Sequence, residues 1–152
     1  MIKEQFFTPH ITVACVVQAE HKFLMVEEII SNKMTLNQPA GHLEQHESII
    51  EAMQRELWEE TGLRYTPQSL IKIFQWTAPD KTPFIRFTFA LDLLKIESTT
   101  PHDRDIEKAC WLSYDDIISA NNLRSPLVRE SLIAYKQAIH HPLSLIESFS
   151  YR

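Results

Sequence analysis

Glycine is nearly missing from this chain: its 152 residues include two, Gly41 and Gly62. Cysteine is equally scarce, and Cys15 and Cys110 stand far apart in apolar surroundings with no zinc-ligand or redox spacing. A disulfide scaffold and a zinc module are therefore excluded, and both thiols read as free and buried. Long hydrophobic runs are absent, so no segment is expected to span a membrane. The opening MIKEQFFTPH shows neither an apolar core nor a cleavage site, and the expected compartment is a reducing cytoplasm. Positive charge is in deficit, with 15 Lys and Arg against 20 Asp and Glu, a net charge of −5. That balance speaks mildly against a nucleic-acid backbone as main partner, although a local basic groove is compatible with it.

What is present is ordinary for a soluble globular protein: 44% apolar and 23% charged residues. No repeat, low-complexity tract or linker divides the chain, so one domain over 1–152 is expected, as monomer or homodimer. HITVACVV from His10 places Ile11, Val13, Cys15 and Val17 on one strand face. QAEH reads as a turn and KFLMVEE as a second strand, and Pro39 and Gly41 interrupt the extended piece that follows. LIKIFQW (70–76) and PFIRFTFALDL (83–93) read as strands joined by the turn TAPDKT. In the latter, Ile85, Phe87, Phe89 and Leu91 form an apolar face opposite Phe84, Arg86 and Thr88. CWLS (110–113) is a short strand and YDDIISA a short helix. Ser125-Pro126 opens a last helix of about fifteen residues. The order of elements predicts an α/β or α+β sandwich.

Both glycines bracket GHLEQHESIIEAMQRELWEETGL, a stretch with six glutamates and one arginine between them. Ser48 with Glu51 forms a capping box that starts a helix, and Gly62 is its left-handed terminating residue. Within the helix Glu56, Glu59 and Glu60 stand at i, i+3 and i+4 and share one face. Two of the three occupy the last turn, where the helix dipole disfavours negative charge. Arg55 supplies a single compensating charge. Oxygen donors converging without neutralisation suit a hard cation, magnesium or manganese, and such ions work together with phosphate. Gly41, lacking Cβ, lets the preceding loop approach this helix, where its carbonyl can join the ligands.

The spacing of Gly41, Glu47, Arg55, Glu56, Leu57, Glu59, Glu60, Gly62 and Leu63 resembles the signature of the Nudix hydrolases, and every fixed or class-restricted position agrees. NQPAGHLE, RELWEETG, QWTAPDKTPF, PHDRDI and NLRSPLV extend the likeness to the NudJ-type phosphatases of that family, including Ala40 where Pro-Gly-Gly is usual. The resemblance implies a mixed sheet sandwiched between helices, with residues 41–63 as a loop–helix–loop. It implies hydrolysis of a diphosphate linked to another group. Glu56, Glu59 and Glu60 would act as metal ligands or, for one of them, as the base that activates water. The Gly41 carbonyl would add a ligand, and Arg55, partnered by Glu47, would hold the carboxylates. It further implies nucleoside tri- and diphosphates and the hydroxymethylpyrimidine diphosphate precursor of thiamine as substrates, with orthophosphate released. Nucleotide sugars, the 5′ end of RNA, and a silent nucleotide-binding module are the alternatives.

In the family another carboxylate often comes from a loop like 103–107, which makes Asp105 a candidate ligand beside the plainer reading of an acidic surface. Trp76 and Phe84 flank the 77–82 turn and suit stacking on a base, while Lys81 and Arg86 suit phosphate. A tryptophan at position 76 is nonetheless more often a core residue. His42 and His46 read as loop residues, since magnesium prefers oxygen.

Overall fold

The apolar alternation near the start of the chain becomes β1 (His10–Ala19), and the following run becomes β2 (Lys22–Ile30). The computed structural model describes residues 5–150, so the expected domain range 1–152 reaches past the described residues at both ends. Glycine scarcity shows in the hairpins. Glu20 and His21 join β1 to β2 with φ of 49° and 63°, and Ser31 and Asn32 join β2 to β3 (Lys33–Asn37) with φ of 50° and 62°. Positive φ at both central positions is the two-residue turn that follows strand twist, and side chains adopt it at a cost. His21→Gly is therefore expected to raise stability by about 0.5–1 kcal/mol, read by urea denaturation, with hydrolytic rate unchanged.

β4 (Ala40–His42), α1 (Ile49–Thr61), β5 (Ser69–Thr77), β6 (Pro83–Asp92), β7 (Ile106–Ser113), α2 (Tyr114–Ile118) and α3 (Pro126–Lys136) complete the order, with a short 3-10 turn at Leu143–Leu145. All strands join one mixed sheet whose main path is β3-β2-β1-β6-β5. β1 and β6 run parallel from His10 opposite Phe84 to Gln18 opposite Asp92. The other edge of β1 is shared: Thr12–Ala14 pair with β4, whereas Gln18 and Ala19 pair with β2. β2 in turn carries β7, with a register shift at Glu27/Glu28.

Apolar side chains fill both faces of this sheet. Val13, Cys15, Val17, Phe89 and Leu91 pack with Ala52, Met53 and Leu57 of α1. Val16, Phe23, Met25 and Ala90 pack with Ile117 of α2 and Val128 and Leu132 of α3. The expected sandwich of sheet between helices is what forms. Among the described residues no helix is long and apolar enough to cross a membrane. Both cysteines are free thiols, but only Cys15 is buried; Cys110 is half-buried.

Three expectations are corrected. The last helix has 11 residues, not about fifteen, because Ala138 takes a positive φ of 57° just after its end. β7 starts four residues before CWLS, since pairing with β2 extends it through the exposed charges of Glu107 and Lys108. Gly41 does not interrupt a strand; it lies within β4, paired with Val13, and the break falls at Gln38 and Pro39.

Candidate active site

The capping box forms as the sequence requires: Glu51 N donates to Ser48 Oγ at 3.1 Å and Ser48 N to Glu51 Oε2 at 3.0 Å. At the other end Gly62 takes φ 78° and donates to Trp58 O at 2.8 Å. A Cβ there would also stand 2.6 Å from the Thr100 carbonyl oxygen. The loop before β7 completes the end of α1. Thr100 N donates to Thr61 O, and His102 N and Asp103 N both donate to Glu59 O at 2.7 and 2.8 Å. Carbonyls that a helix leaves orphaned are thus satisfied by the segment that carries Asp103.

Arg55 organises the carboxylates. It grips Glu47 with two bonds, Nε to Oε2 at 2.9 Å and Nη2 to Oε1 at 2.7 Å, and this pairing holds the Glu47 carboxyl below its usual range. Nη2 also donates to the His42 carbonyl at 2.9 Å, tying β4 to α1. Nη1 reaches Glu56 at 2.7 Å and Glu59 at 3.3 Å. One guanidinium therefore bonds three carboxylates and the β4 backbone, with Glu44 Oε1 a fourth carboxylate at 3.7 Å.

Gly41 packs directly against this assembly. A Cβ on it would lie 2.0 Å from Glu56 Oε1, so no other residue leaves Glu56 where it is. Ala40 N donates to Glu60 Oε1 at 2.7 Å. Glu56 and Glu60 are both buried. Burial pushes the Glu56 carboxyl up to about 7 against the opposing pull of Arg55, with Glu59 and Asp103 adding repulsion. Burial raises Glu60 well above the carboxylate range too, Ala40 N–H opposing it, with Glu56, Glu28 and Asp103 adding to the rise.

Among the described residues no three His, Cys, Asp or Glu side chains are grouped to hold a metal ion as they stand. The expected convergence of Glu56, Glu59 and Glu60 is spread instead: Glu56 and Glu59 turn to Arg55, while Glu60 turns to Ala40. Even so, the residues fit a divalent cation. Glu56 and Glu60 are buried with Arg55 bonded to the first and no cation bonded to the second, so the pair is short of positive charge, and hard cations take such oxygens.

Beside Gly41 opens a cavity of about 230 Å³. Trp76 and Phe84 form one wall, their rings stacked at 5.5 Å, and Arg86 lies at its buried floor. Glu28, Asn37, Arg124 and Leu127 also line it. Three of the four expected substrate residues are thus brought together. Lys81 is not; it sits exposed at the tip of the turn, with φ 74°. Nor is Arg86 on an open polar face, because α3 covers that side of β6: its Nη2 donates to Gln38 Oε1 at 2.7 Å and reaches Ser131 Oγ at 3.5 Å. Burial lowers its guanidinium to about 10.

Asp105 is exposed, and its N–H donates to Asp103 Oδ1 at 2.9 Å. The acid of that loop whose charge bears on both Glu56 and Glu60 is Asp103. His46 is an exposed loop residue, whereas His42 lines the cavity and pairs with His10, ring nitrogens 3.0 Å apart. Sequence reasoning missed Glu28, Asn37 and Arg124. Asn37 and Arg124 lie inside NQPAGHLE and NLRSPLV, stretches already singled out, but nothing local tells that the two meet.

Known proteins share this fold and sequence. The sequence profile of the NUDIX domain matches residues 8–133. Phosphatase NudJ of Escherichia coli K12 is 55% identical over 145 residues, covering 95% of each chain. A solved NUDIX hydrolase from Nitrosomonas europaea superposes with a TM-score of 0.87 at 38% identity, over 93% of this chain and 98% of the other. The NUDIX domain of Shewanella oneidensis NrtR, solved with ADP ribose, superposes at 0.74 over 88% of this chain and 91% of that one; at 14% identity it shares the fold alone.

Proposed function

This chain belongs to the Nudix hydrolases, which cleave pyrophosphate bonds with divalent metal ions, and from that premise we propose that it is a phosphatase releasing orthophosphate from nucleoside tri- and diphosphates and from hydroxymethylpyrimidine diphosphate. The observation that carries the reading is the pair of buried carboxylates Glu56 and Glu60, the first packed against Gly41 and bonded by Arg55, the second bonded only by the Ala40 N–H. Likeness to Phosphatase NudJ over most of both chains supports the phosphatase outcome.

Glu56, Glu59, Glu60 and the Gly41 carbonyl are the residues to hold magnesium or manganese. When bound, such ions set positive charge against phosphate oxygens and acidify water. The chain's own groups do the rest. Arg55, braced by Glu47, fixes the carboxylates and keeps them from drifting as charge develops. Asp103, anchored by the Asp105 N–H, adds a carboxylate from the neighbouring loop. One glutamate of the set takes the proton of the attacking water. The water oxygen bonds to the terminal phosphorus, and the bond to the bridging oxygen breaks. Trp76 and Phe84 receive the remainder of the substrate.

Product analysis tests this. A nucleoside triphosphate with magnesium should give orthophosphate as first product, the diphosphate appearing before the monophosphate by ion-exchange chromatography. Pyrophosphate as dominant first product would leave the family reaction standing and overturn the phosphatase reading.

A further inference from the structure

Residues 93–105, between β6 and β7, form neither helix nor strand, yet three of their amides close the end of α1. Thr100 N donates to Thr61 O, while His102 N and Asp103 N donate to Glu59 O; Pro101, between them, has no N–H to give. Bonds from backbone to backbone are blind to side chains, and those at a helix end compete with water. One side chain of the segment adds a contact of its own. The His102 ring lies on the Trp58 indole, centroids 4.3 Å apart and planes 13° from parallel. Trp58 belongs to neither apolar cluster of the core. The other group on its ring is the Arg64 guanidinium, 5.0 Å from the centroid. A large aromatic one residue before Glu59 is thus spent on the loop and not on the sheet.

Resting on the hydrolase reading, we propose that Trp58 is a positioning residue of the active site: stacked on His102, it seats the 100–103 segment on the end of α1 and so holds Asp103 beside the carboxylates that take the metal. Asp103 follows His102 directly, so a displaced His102 ring carries the acid with it. The Asp103 charge bears on both Glu56 and Glu60, which places the loop within electrostatic reach of the site. Without a cation that reach is repulsive, and the carbonyl end of α1 adds to the push. The backbone bonds meet it alone unless something indifferent to charge helps. A stacked pair of rings is such a contact. The Arg64 cation, drawn to the same indole, restrains the ring that His102 lies on. No side-chain bond of Arg55, Glu56, Glu59 or Glu60 runs through Trp58, so its influence reaches the metal by way of the loop.

Manganese binding to the full chain without nucleotide, the free ion counted by electron paramagnetic resonance, tests this apart from turnover. Trp58→Ala should bind manganese about tenfold more weakly, at the low end of what a supporting partner of a metal ligand commonly costs. Trp58→Phe keeps a ring to stack and should recover most of the loss. In an Asp103→Asn chain the affinity is lower already, and adding Trp58→Ala should change it no further, because both act through one carboxylate. His102→Ala removes an exposed ring, should weaken binding as Trp58→Ala does, and carries the test if Trp58→Ala does not fold. Hydrogen exchange in chelator reads the same contact without metal. The His102 and Asp103 amides should exchange about tenfold faster in either alanine variant, while amides within α1 keep their protection. Unchanged exchange at those two amides overturns the proposal. So does wild-type affinity in a folded His102→Ala, or a Trp58→Ala loss as large in the Asp103→Asn chain as in wild type. If wild type itself binds no manganese, the metal reading falls and this role with it. Manganese held equally by wild type and Trp58→Ala spares that reading and sinks the role of Trp58 alone.

Discussion

Glu59→Gln lowers kcat by about a hundredfold or more, given that even residues supporting a metal ligand commonly cost 10–100-fold when changed. The expectation rests on where Glu59 stands among the three carboxylates. Its side chain is the most open, 36% exposed against 11% for Glu56, and its bond to Arg55 is the longer, 3.3 against 2.7 Å. The backbone around it is held independently, by His102 N and Asp103 N on its carbonyl. A glutamine there keeps the shape and breaks no core contact, so the melting temperature without metal should match wild type. Steady-state kinetics with a nucleoside triphosphate, beside a melting curve, reads both quantities. A variant keeping half the wild-type rate would take Glu59 out of the site. A variant that fails to fold would show that its contact with Arg55 is structural.

Much of this site could be read from local chemistry, and the remainder could not, for a physical reason. Ser48 and Glu51 satisfy one another across three residues, and Gly62 closes the same helix, so its limits were fixed by neighbours in sequence. The tight approach of Gly41 followed from the rarity of glycine, and its measure is the 2.0 Å a Cβ would leave. Arg86 misled because alternation along β6 places it opposite an apolar face, which suggests solvent. A strand between β1 and β5 has no solvent face here, and Arg86 is buried beneath α3 with Gln38 and Ser131 as partners. Asn37, Arg124 and Glu28 belong to three separate segments, and only the folded sheet brings them to one cavity. The loop acid turned on similar grounds. Spacing cannot distinguish Asp103 from Asp105, whereas in the fold the His102 and Asp103 N–H groups bond to Glu59 O and bring the backbone at Asp103 to the helix end.

Glu60→Gln should melt no lower than wild type in excess chelator, and higher if its charge is as poorly compensated as the geometry implies. Glu60 is 4% exposed and accepts one bond, from Ala40 N, which a glutamine oxygen also accepts. It has no bond to Arg55, whose carboxylate partners are Glu44, Glu47, Glu56 and Glu59. Near the carbonyl end of α1 a negative charge costs about 0.3–1 kcal/mol, before repulsion from Glu56 is added. The sign follows from titration: folding raises the Glu60 carboxyl, so its contribution favours the folded chain in acid and is lost as pH rises through the raised value. At neutral pH wild type therefore carries the penalty, whether as a buried charge or as a proton taken up, and glutamine does not. Saturating magnesium should reverse the order. Binding adds about 2.7 kcal/mol at a hundredfold excess over Kd, and a variant lacking one carboxylate gains less. Four melting curves, two proteins with and without metal near pH 7.5, decide it. A variant clearly less stable in chelator would mean that the Glu60 charge holds the loop at Ala40 in place, and that the helix end is not waiting for a cation.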